Sequence, residues 1–154
     1  MKILLATEGS KYSQAAIDKC CEIFGNRTDA EVRIIAVYEL MIPPTEPFAV
    51  SAEYIQQVDA QSRRQAEEVA AAAQAQLLER CPAFQDKLSV KVAGGSAEGL
   101  IVEEAEAWGA DLIIVGSHGY GFWKRAWLGS VSNAVVHHAP CSVLVVRSDT
   151  AKND

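Results

Sequence analysis

Five short apolar segments recur along the chain, and longer amphipathic stretches separate them. Short apolar runs of this kind predict buried strands, whereas apolar residues at three- and four-residue steps predict helices. Strands that alternate with helices predict an α/β fold of one domain, with an open parallel sheet, helices on both faces and right-handed crossovers. The predicted strands span residues 2–7, 31–38, 88–93, 112–115 and 142–147.

Two of the predicted helices carry clear end signals. The first is capped by Ser10 or Ser13 and closes at Gly25-Asn26. The helix after the third strand is capped by Ser96 and terminates at Gly109. The residues expected to face the core are Ala16, Cys20, Ile23 and Phe24 in the first helix, and Ala97, Leu100, Ile101, Ala105 and Trp108 in the later one.

A much longer helix is predicted from about residue 51 to residue 80. It follows a proline-containing surface loop at 41–50, and Pro82 stops it. A coiled coil is the alternative, but the apolar stripe breaks at Ser62 and is rich in alanine, which favours packing against a sheet. The stripe consists of Ile55, Val58, Ala66, Val69, Ala73 and Leu77.

A glycine pattern follows the fourth strand, with Gly116, Gly119 and Gly129-Ser130 in the spacing G-x2-G-x9-G-S. Glycine can adopt positive φ and lets a ligand approach backbone N–H groups. A helix from residue 129 to residue 138 would add its positive N-terminus, so the segment could bind an anion. The alternative is a glycine-rich turn with Ser130 as an ordinary N-cap. The glycines alone leave both interpretations open.

The neighbouring residues make the segment resemble the nucleotide-binding motif of the universal stress protein family. Every required position of that family's G-x2-G-x9-G-(S/T) motif is matched. The closing stretch 139–147 and the opening stretch 3–10 are also similar to the family, so the resemblance covers essentially the whole chain. It implies the strand order 3-2-1-4-5, in which strands one and four meet at a crevice where open α/β sheets bind ligands.

The resemblance also implies a set of site residues. Glu8 stands where the family usually has Asp, and Val37 stands where the family's backbone contacts adenine. Ser117 and His118 lie between two motif glycines, and Ser130 and Ser132 could add hydroxyl donors. The candidate cofactor-binding residues are Thr7, Glu8 and Val37 for adenosine, and Gly116, Ser117, His118, Gly119, Gly129, Ser130, Val131 and Ser132 for ribose and phosphates.

Composition limits the partners and the compartment. The 154 residues carry a formal net charge of −6, which argues against nucleic acid or an anionic membrane surface as a partner. A bound polyphosphate must therefore depend on local donors. Four cysteines without metal-ligand spacing are expected to be free thiols in a reducing cytoplasm. The folded domain is expected to span residues 1–148, followed by a polar tail at 149–154.

Other chemistries lack their motifs. The chain has no G-x4-G-K-(S/T) phosphate loop, no G-x-G-x-x-G after a strand and no G-x-S-x-G nucleophile elbow. No convincing pair of acids is set to hold Mg²⁺ near the glycine motif, although the ion could accompany the phosphates of ATP. Lys124 and Arg125 in the linker could neutralise terminal phosphates, although a solvated loop is slightly favoured. Trp123 and Trp127 are expected to cover apolar surface, and His137 and His138 in the last helix are expected to be structural.

The leading hypothesis is a cytosolic protein that binds ATP or another adenine nucleotide and acts as a regulatory homodimer in a stress response. The dimer is expected to form through the edge strand from Ser142 to Arg147, as the resemblance implies. One alternative is a dimeric scaffold that binds no nucleotide. Another is a slow ATP hydrolase or nucleotidyl transferase that uses Glu8 or His118.

Overall fold

The computed structural model describes residues 1–40, 51–118 and 128–148. Its centre is a parallel five-stranded sheet in the order β3-β2-β1-β4-β5. The strands are β1 (Lys2–Thr7), β2 (Glu31–Tyr38), β3 (Leu88–Gly94), β4 (Leu112–Gly116) and β5 (Ser142–Val146), and the helices are α1 (Lys11–Phe24), α2 (Ala52–Arg80), α3 (Ala97–Trp108) and α4 (Ser130–His138), with a short 3₁₀ turn at Pro82–Phe84. The predicted α/β fold and strand order are confirmed.

The helices cover both faces of the sheet, and β1 lies at its centre. Ile3 and Leu5 pack under α1 and α2 on one face, whereas Leu4 and Ala6 pack under α3 and α4 on the other. A strand that is buried on both faces cannot alternate polar and apolar residues, which explains the continuous apolar run in β1. The sheet is therefore packed between two hydrophobic layers, one on each face.

The first helix begins where it was predicted to begin, but the face that it buries differs from the predicted face. The Ser10 side chain accepts hydrogen bonds from the backbone N–H groups of Tyr12 and Ser13, which confirms Ser10 as the N-cap. Ile23 is 48% exposed, so its predicted place in the core is wrong. Ile17 is buried instead, because the buried arc of α1 centres on Cys20 and leaves Ile23 at its edge.

Only the C-terminal half of the long helix α2 packs tightly on the sheet. Its buried residues are Ala66, Ala70, Ala73 and Leu77, whereas Ile55 and Val58 nearer its start are half-buried. The small alanine side chains let the helix axis approach the sheet closely. The helix therefore packs against the sheet, as predicted in preference to a coiled coil. The helix ends at Arg80, before Pro82.

The third helix carries a buried carboxylate that the hydrophobic pattern did not predict. Glu104 is 4% exposed and forms ion pairs with Arg33, at 2.5 Å, and with Lys91. Burial acts to raise the pKa of Glu104, but the hydrogen bonds and charges of these two partners outweigh it and lower the pKa. Trp108 stacks beneath the Arg33 guanidinium, with 4.3 Å between the guanidinium carbon and the ring centre. The network ties α3 to β2 and β3.

The remaining differences concern element ends. Ser96 occupies the N-cap position of α3 without a side-chain capping bond, whereas Gly109 ends that helix in the left-handed conformation with φ 70°. The strand β3 extends to Gly94, β5 stops at Val146, and Gly129 is the N-cap of α4. The predicted surface loop at 41–50, most of the motif linker, including Trp123, Lys124, Arg125 and Trp127, and the predicted tail at 149–154 lie outside the described residues.

Candidate functional site

The carboxyl ends of β1 and β4 lie side by side at the point where the order of the strands in the sheet reverses. The two strands pair in parallel, with Ile3 beside Leu112 and Leu5 beside Ile114. After β1 the chain turns to α1 on one face, and after β4 it leads to α4 on the other face. Because these two connections diverge, a pocket of about 250 Å³ lies at the carboxyl ends of the two strands.

Most of the predicted site residues line this pocket. Ser117 is not among the lining residues, and Gly119 lies outside the described residues. The predicted residues that line the pocket are Thr7, Glu8, Val37, Gly116, His118, Gly129, Ser130, Val131 and Ser132.

One wall of the pocket is apolar, and Val37 is the one residue of this wall that the sequence predicted as a site residue. It is formed by Ala6, Ile35, Val37, Ala97, Ile101 and Val115, which come from β1, β2, β4 and α3. Ala6, Ile35, Ile101 and Val115 also belong to the hydrophobic layer between the sheet and α3. The pocket is therefore the open end of that layer, and its wall suits a flat or aliphatic group that water would otherwise surround.

A second side of the pocket is formed by the N-terminus of α4. Ser130, Val131 and Ser132 form its first turn, where backbone N–H groups have no acceptor within the helix. The helix dipole adds partial positive charge at the same end. This side of the pocket can bind a negatively charged group.

Two predicted donors of the glycine motif already have acceptors within the protein. The backbone N–H of Gly129 donates to the carbonyl oxygen of Ser117 at 2.8 Å. The Ser132 hydroxyl lies 3.0 Å from that same oxygen and 3.1 Å from the carbonyl oxygen of Gly129, so its proton is directed at the backbone. Contact of the Ser132 hydroxyl with a ligand stays a prediction, and it would require this proton to leave its backbone acceptors.

Ser117 connects the elements that form the site. It is 1% exposed, and its N–H donates to the carbonyl oxygen of Val146 in β5 at 2.7 Å. Its own carbonyl oxygen accepts from Gly129 and Ser132, as described above. Ser117 thus connects the end of β4 to β5 and to the start of α4. Its predicted contact with a ligand stays a prediction.

Two of the motif glycines, Gly116 and Gly129, allow close packing within the protein. Neither Gly116 nor Gly129 adopts the positive φ that the sequence suggested, whereas Gly9 in the turn after β1 does, with φ 84°. A Cβ atom on Gly116 would lie 2.7 Å from the backbone carbon of Tyr12, so glycine here lets α1 approach β4. A Cβ atom on Gly129 would lie 3.2 Å from the Cα of His118.

Glu8 is a half-buried carboxyl group at the pocket. Burial raises its pKa, although hydrogen bonds, chiefly from the Ser10 hydroxyl, act in the opposite direction. Ser10 also caps α1, so the Glu8 side chain is tied to the start of that helix. Its environment differs from that of a solvated loop acid, and a carboxyl group here can hydrogen-bond to a polar ligand.

His118 lines the pocket between the motif loop and α1. Its ring centre lies 5.2 Å from that of Tyr12, and its Nδ1 lies 3.1 Å from the Ser117 hydroxyl oxygen. Because Ser117 is buried, this pair is not an exposed nucleophile and base. His118 can instead contribute a polar ring edge to the wall near α4.

In the described parts of the chain, no group of three or more His, Cys, Asp or Glu side chains could hold a metal ion. None of the helices described there has the length and apolar character that a bilayer crossing requires.

Comparison with known proteins gives a consistent result. The model of the universal stress protein family matches residues 1–147. A protein of Staphylococcus haemolyticus with the name "Putative universal stress protein SH1215" is 31% identical over 153 residues, which cover 99% of this chain and 87% of that protein.

Solved structures share the fold. The universal stress protein UspA from Lactobacillus plantarum superposes with a TM-score of 0.79 at 22% identity, covering 96% of this chain and 97% of the other. A family protein from Arabidopsis thaliana with AMP bound gives 0.67 at 17% identity, covering 100% and 95%. The Archaeoglobus fulgidus protein in complex with dAMP gives 0.61 at 16% identity, covering 95% and 97%.

Proposed function

The chain belongs to the universal stress protein family, and on that premise we propose that it binds an adenine nucleotide and acts as a regulatory dimer. The nucleotide occupies the pocket at the carboxyl ends of β1 and β4. Its occupancy biases an interaction with another component of a stress response. The protein acts in the cytoplasm, where its free thiols would stay reduced.

One observation carries the proposal: the pocket joins an apolar wall to the first turn of α4. The apolar wall suits the adenine ring, and Val37 forms part of it. The N–H groups of Ser130 and Val131 can bind a phosphate with the help of the helix dipole. Glu8, which lines the pocket, would hydrogen-bond to the nucleoside. The complexes of relatives with AMP and dAMP support the same class of ligand.

Local donors must bind the phosphates, since the chain has a net charge of −6. The matched glycine motif favours ATP, and Gly119 would complete the phosphate loop. Mg²⁺ would arrive with the phosphates and be held chiefly by them, because triphosphates commonly supply oxygen ligands to this ion.

The edge strand β5 supports the dimer. In the sheet order it has one strand neighbour, β4, and its residues Val143, Leu144 and Val145 are half-buried and uncharged. An apolar edge of this kind invites pairing with another strand. Pairing with β5 of a second copy would cover it across a two-fold axis.

Calorimetric titration of the purified chain with ATP and AMP, each with and without Mg²⁺, tests the proposal. Saturable binding of one nucleotide per chain is the expected result, followed by no release of phosphate above that of a protein-free control. Phosphate release with turnover would indicate the slow hydrolase. No saturable binding of either nucleotide at millimolar concentration would leave the nucleotide-free scaffold.

A further inference from the structure

Three of the four cysteines gather where the last turns of α1 meet the end of α2. Cys20 is fully buried, Cys81 is 5% exposed and Cys21 is half-buried, and all are free thiols. Cys141, the fourth, packs on the opposite face of the sheet. The cluster lies away from the nucleotide pocket, and the proposed function does not use it.

Two contacts place Cys21 against Cys81. The Cys21 sulfur lies 3.9 Å from the carbonyl oxygen of Leu77, and the Cys81 backbone N–H donates to that same oxygen at 2.8 Å. A Cβ atom built on Gly25 would lie 2.5 Å from the Cys21 carbonyl oxygen and 2.7 Å from the Cys81 sulfur. Both residues thus lie near the Leu77 carbonyl oxygen and Gly25, and their side chains are hydrogen-bonded to each other. A disulfide needs this kind of proximity, with Cα atoms roughly 4.4–6.8 Å apart.

We propose that Cys21 and Cys81 are an oxidisable pair that forms a disulfide between α1 and the C-cap of α2 when hydrogen peroxide reaches the protein. Cys21 is the entry point because it is the most exposed of the three thiols and Arg80 lies near it. Cys20 points into the core beside Ala16 and Leu77 and keeps its thiol.

The chemistry is balanced by one peroxide. The Cys21 thiolate attacks one peroxide oxygen and breaks the O–O bond, which gives a sulfenic acid and, after protonation, one water molecule. The Cys81 sulfur then attacks the sulfenyl sulfur, forms the S–S bond and expels the second water molecule. Two thiols lose two electrons and two protons, and the peroxide is reduced to two water molecules.

The environment of the thiols determines the rate at which peroxide oxidises them. Burial raises the pKa of Cys20 to about 12. Burial, together with the neighbouring Cys81 and Cys20 thiols, also raises the pKa of Cys21, whereas the Arg80 charge acts to lower it. Little thiolate is therefore present at neutral pH, and oxidation should be slow there and accelerate as the pH rises. The pair responds to sustained oxidant exposure and would stay reduced in a brief pulse.

The test treats the whole native chain with hydrogen peroxide, then quenches it, unfolds it and titrates its thiols. The four free thiols of the wild type should fall to two, and its mass should fall by two hydrogen atoms. Cys20→Ser is the matched control and should still lose two thiols. Cys21→Ser and Cys81→Ser should lose none, and reduction with dithiothreitol should restore the wild type.

Three results would overturn the proposal. The first is full retention of thiols in peroxide-treated wild type at pH 9. The second is the reverse pattern, in which Cys20→Ser abolishes the cross-link and Cys21→Ser keeps it. The third is a bond between chains on a non-reducing gel. Because the comparison of Cys20→Ser with Cys21→Ser is decisive, the test holds even where Cys81→Ser fails to fold.

Discussion

The fold shifts the pKa values of the Glu8 and Glu104 carboxyl groups in opposite directions. Glu104 meets two cations, and its pKa is lowered against the effect of burial. Glu8 has a hydroxyl group as its neighbour, so burial prevails and its pKa is raised. A half-buried acid of this kind at the pocket, with a perturbed pKa, is typical of a functional position. It also has a consequence for stability.

We expect Glu8→Gln to be more stable than the wild type at neutral pH. Because the pKa of Glu8 is higher in the folded state than in the unfolded state, the folded state loses stability as pH rises through that folded-state pKa. The amide avoids this penalty. The melting temperature should rise by at most about 4 °C at pH 7, and the gain should vanish near pH 4.

Thermal unfolding followed by circular dichroism at both pH values checks this prediction. Glu31→Gln is the control, since Glu31 is an exposed acid at the start of β2 and should show no such difference. A Glu8→Gln protein that is less stable than wild type at pH 7 would show that the hydrogen bond from Ser10 outweighs the cost of burial.

At the scale of elements, close contacts between helices and strands decide where glycine is required. The backbone of α1 at Tyr12 approaches β4 so closely that Gly116 has no room for a side chain. Gly99 in α3 is different, because the nearest atom to its Cβ position is 3.8 Å away, in the Ser96 side chain. The same substitution should therefore have opposite effects at the two sites.

Gly116→Ala should lower the free energy of unfolding by about 1–3 kcal/mol, because the methyl group overpacks the contact between β4 and α1. Gly99→Ala should raise it by about 0.5–1 kcal/mol, because alanine loses less backbone entropy in a helix. Urea denaturation of both variants beside the wild type measures the two shifts. Equal stability of Gly116→Ala and wild type would mean that Gly116 is not needed for helix packing.

Hydrophobic period and end signals predicted the elements well, because they depend on residues close together in the sequence. Ser10, Gly109 and Pro82 marked ends that the structure confirms. The misplacement of Ile23 arose because helix rotation depends on the neighbouring helix and sheet. The burial of Glu104 depends on Arg33 and Lys91 from two other strands, which no local pattern reveals.

At the scale of the whole molecule, the strand order came from the family resemblance, and the candidate site followed from that order. The motif residues were found because they are contiguous in sequence. The apolar wall was missed because Ala6, Ile35, Ile101 and Val115 come together only once β1, β2 and β4 are neighbours under α3. The close approach of Tyr12 to Gly116 was not predicted, because a sequence does not show which atoms lie near a glycine.

The proposed dimer is a prediction at this same scale. Light scattering after gel filtration should give twice the mass of the chain over a wide concentration range, because β5 offers an uncharged edge. A monomer at every concentration would show that something other than a second copy covers that strand.

The central claim is that the first turn of α4 binds the phosphate of an adenine nucleotide, and calorimetric titration of Ser130→Asp with ATP tests it most directly. Ser130 is exposed and is the first residue of the helix, so aspartate should preserve or improve helix stability through the dipole while repelling phosphate. Ser130→Asn, of similar size without charge, and Asn133→Asp, one turn later on the same helix, are the controls. We predict at least a tenfold loss of affinity, about 1.4 kcal/mol, in Ser130→Asp alone. Wild-type affinity in a folded Ser130→Asp protein would contradict the account.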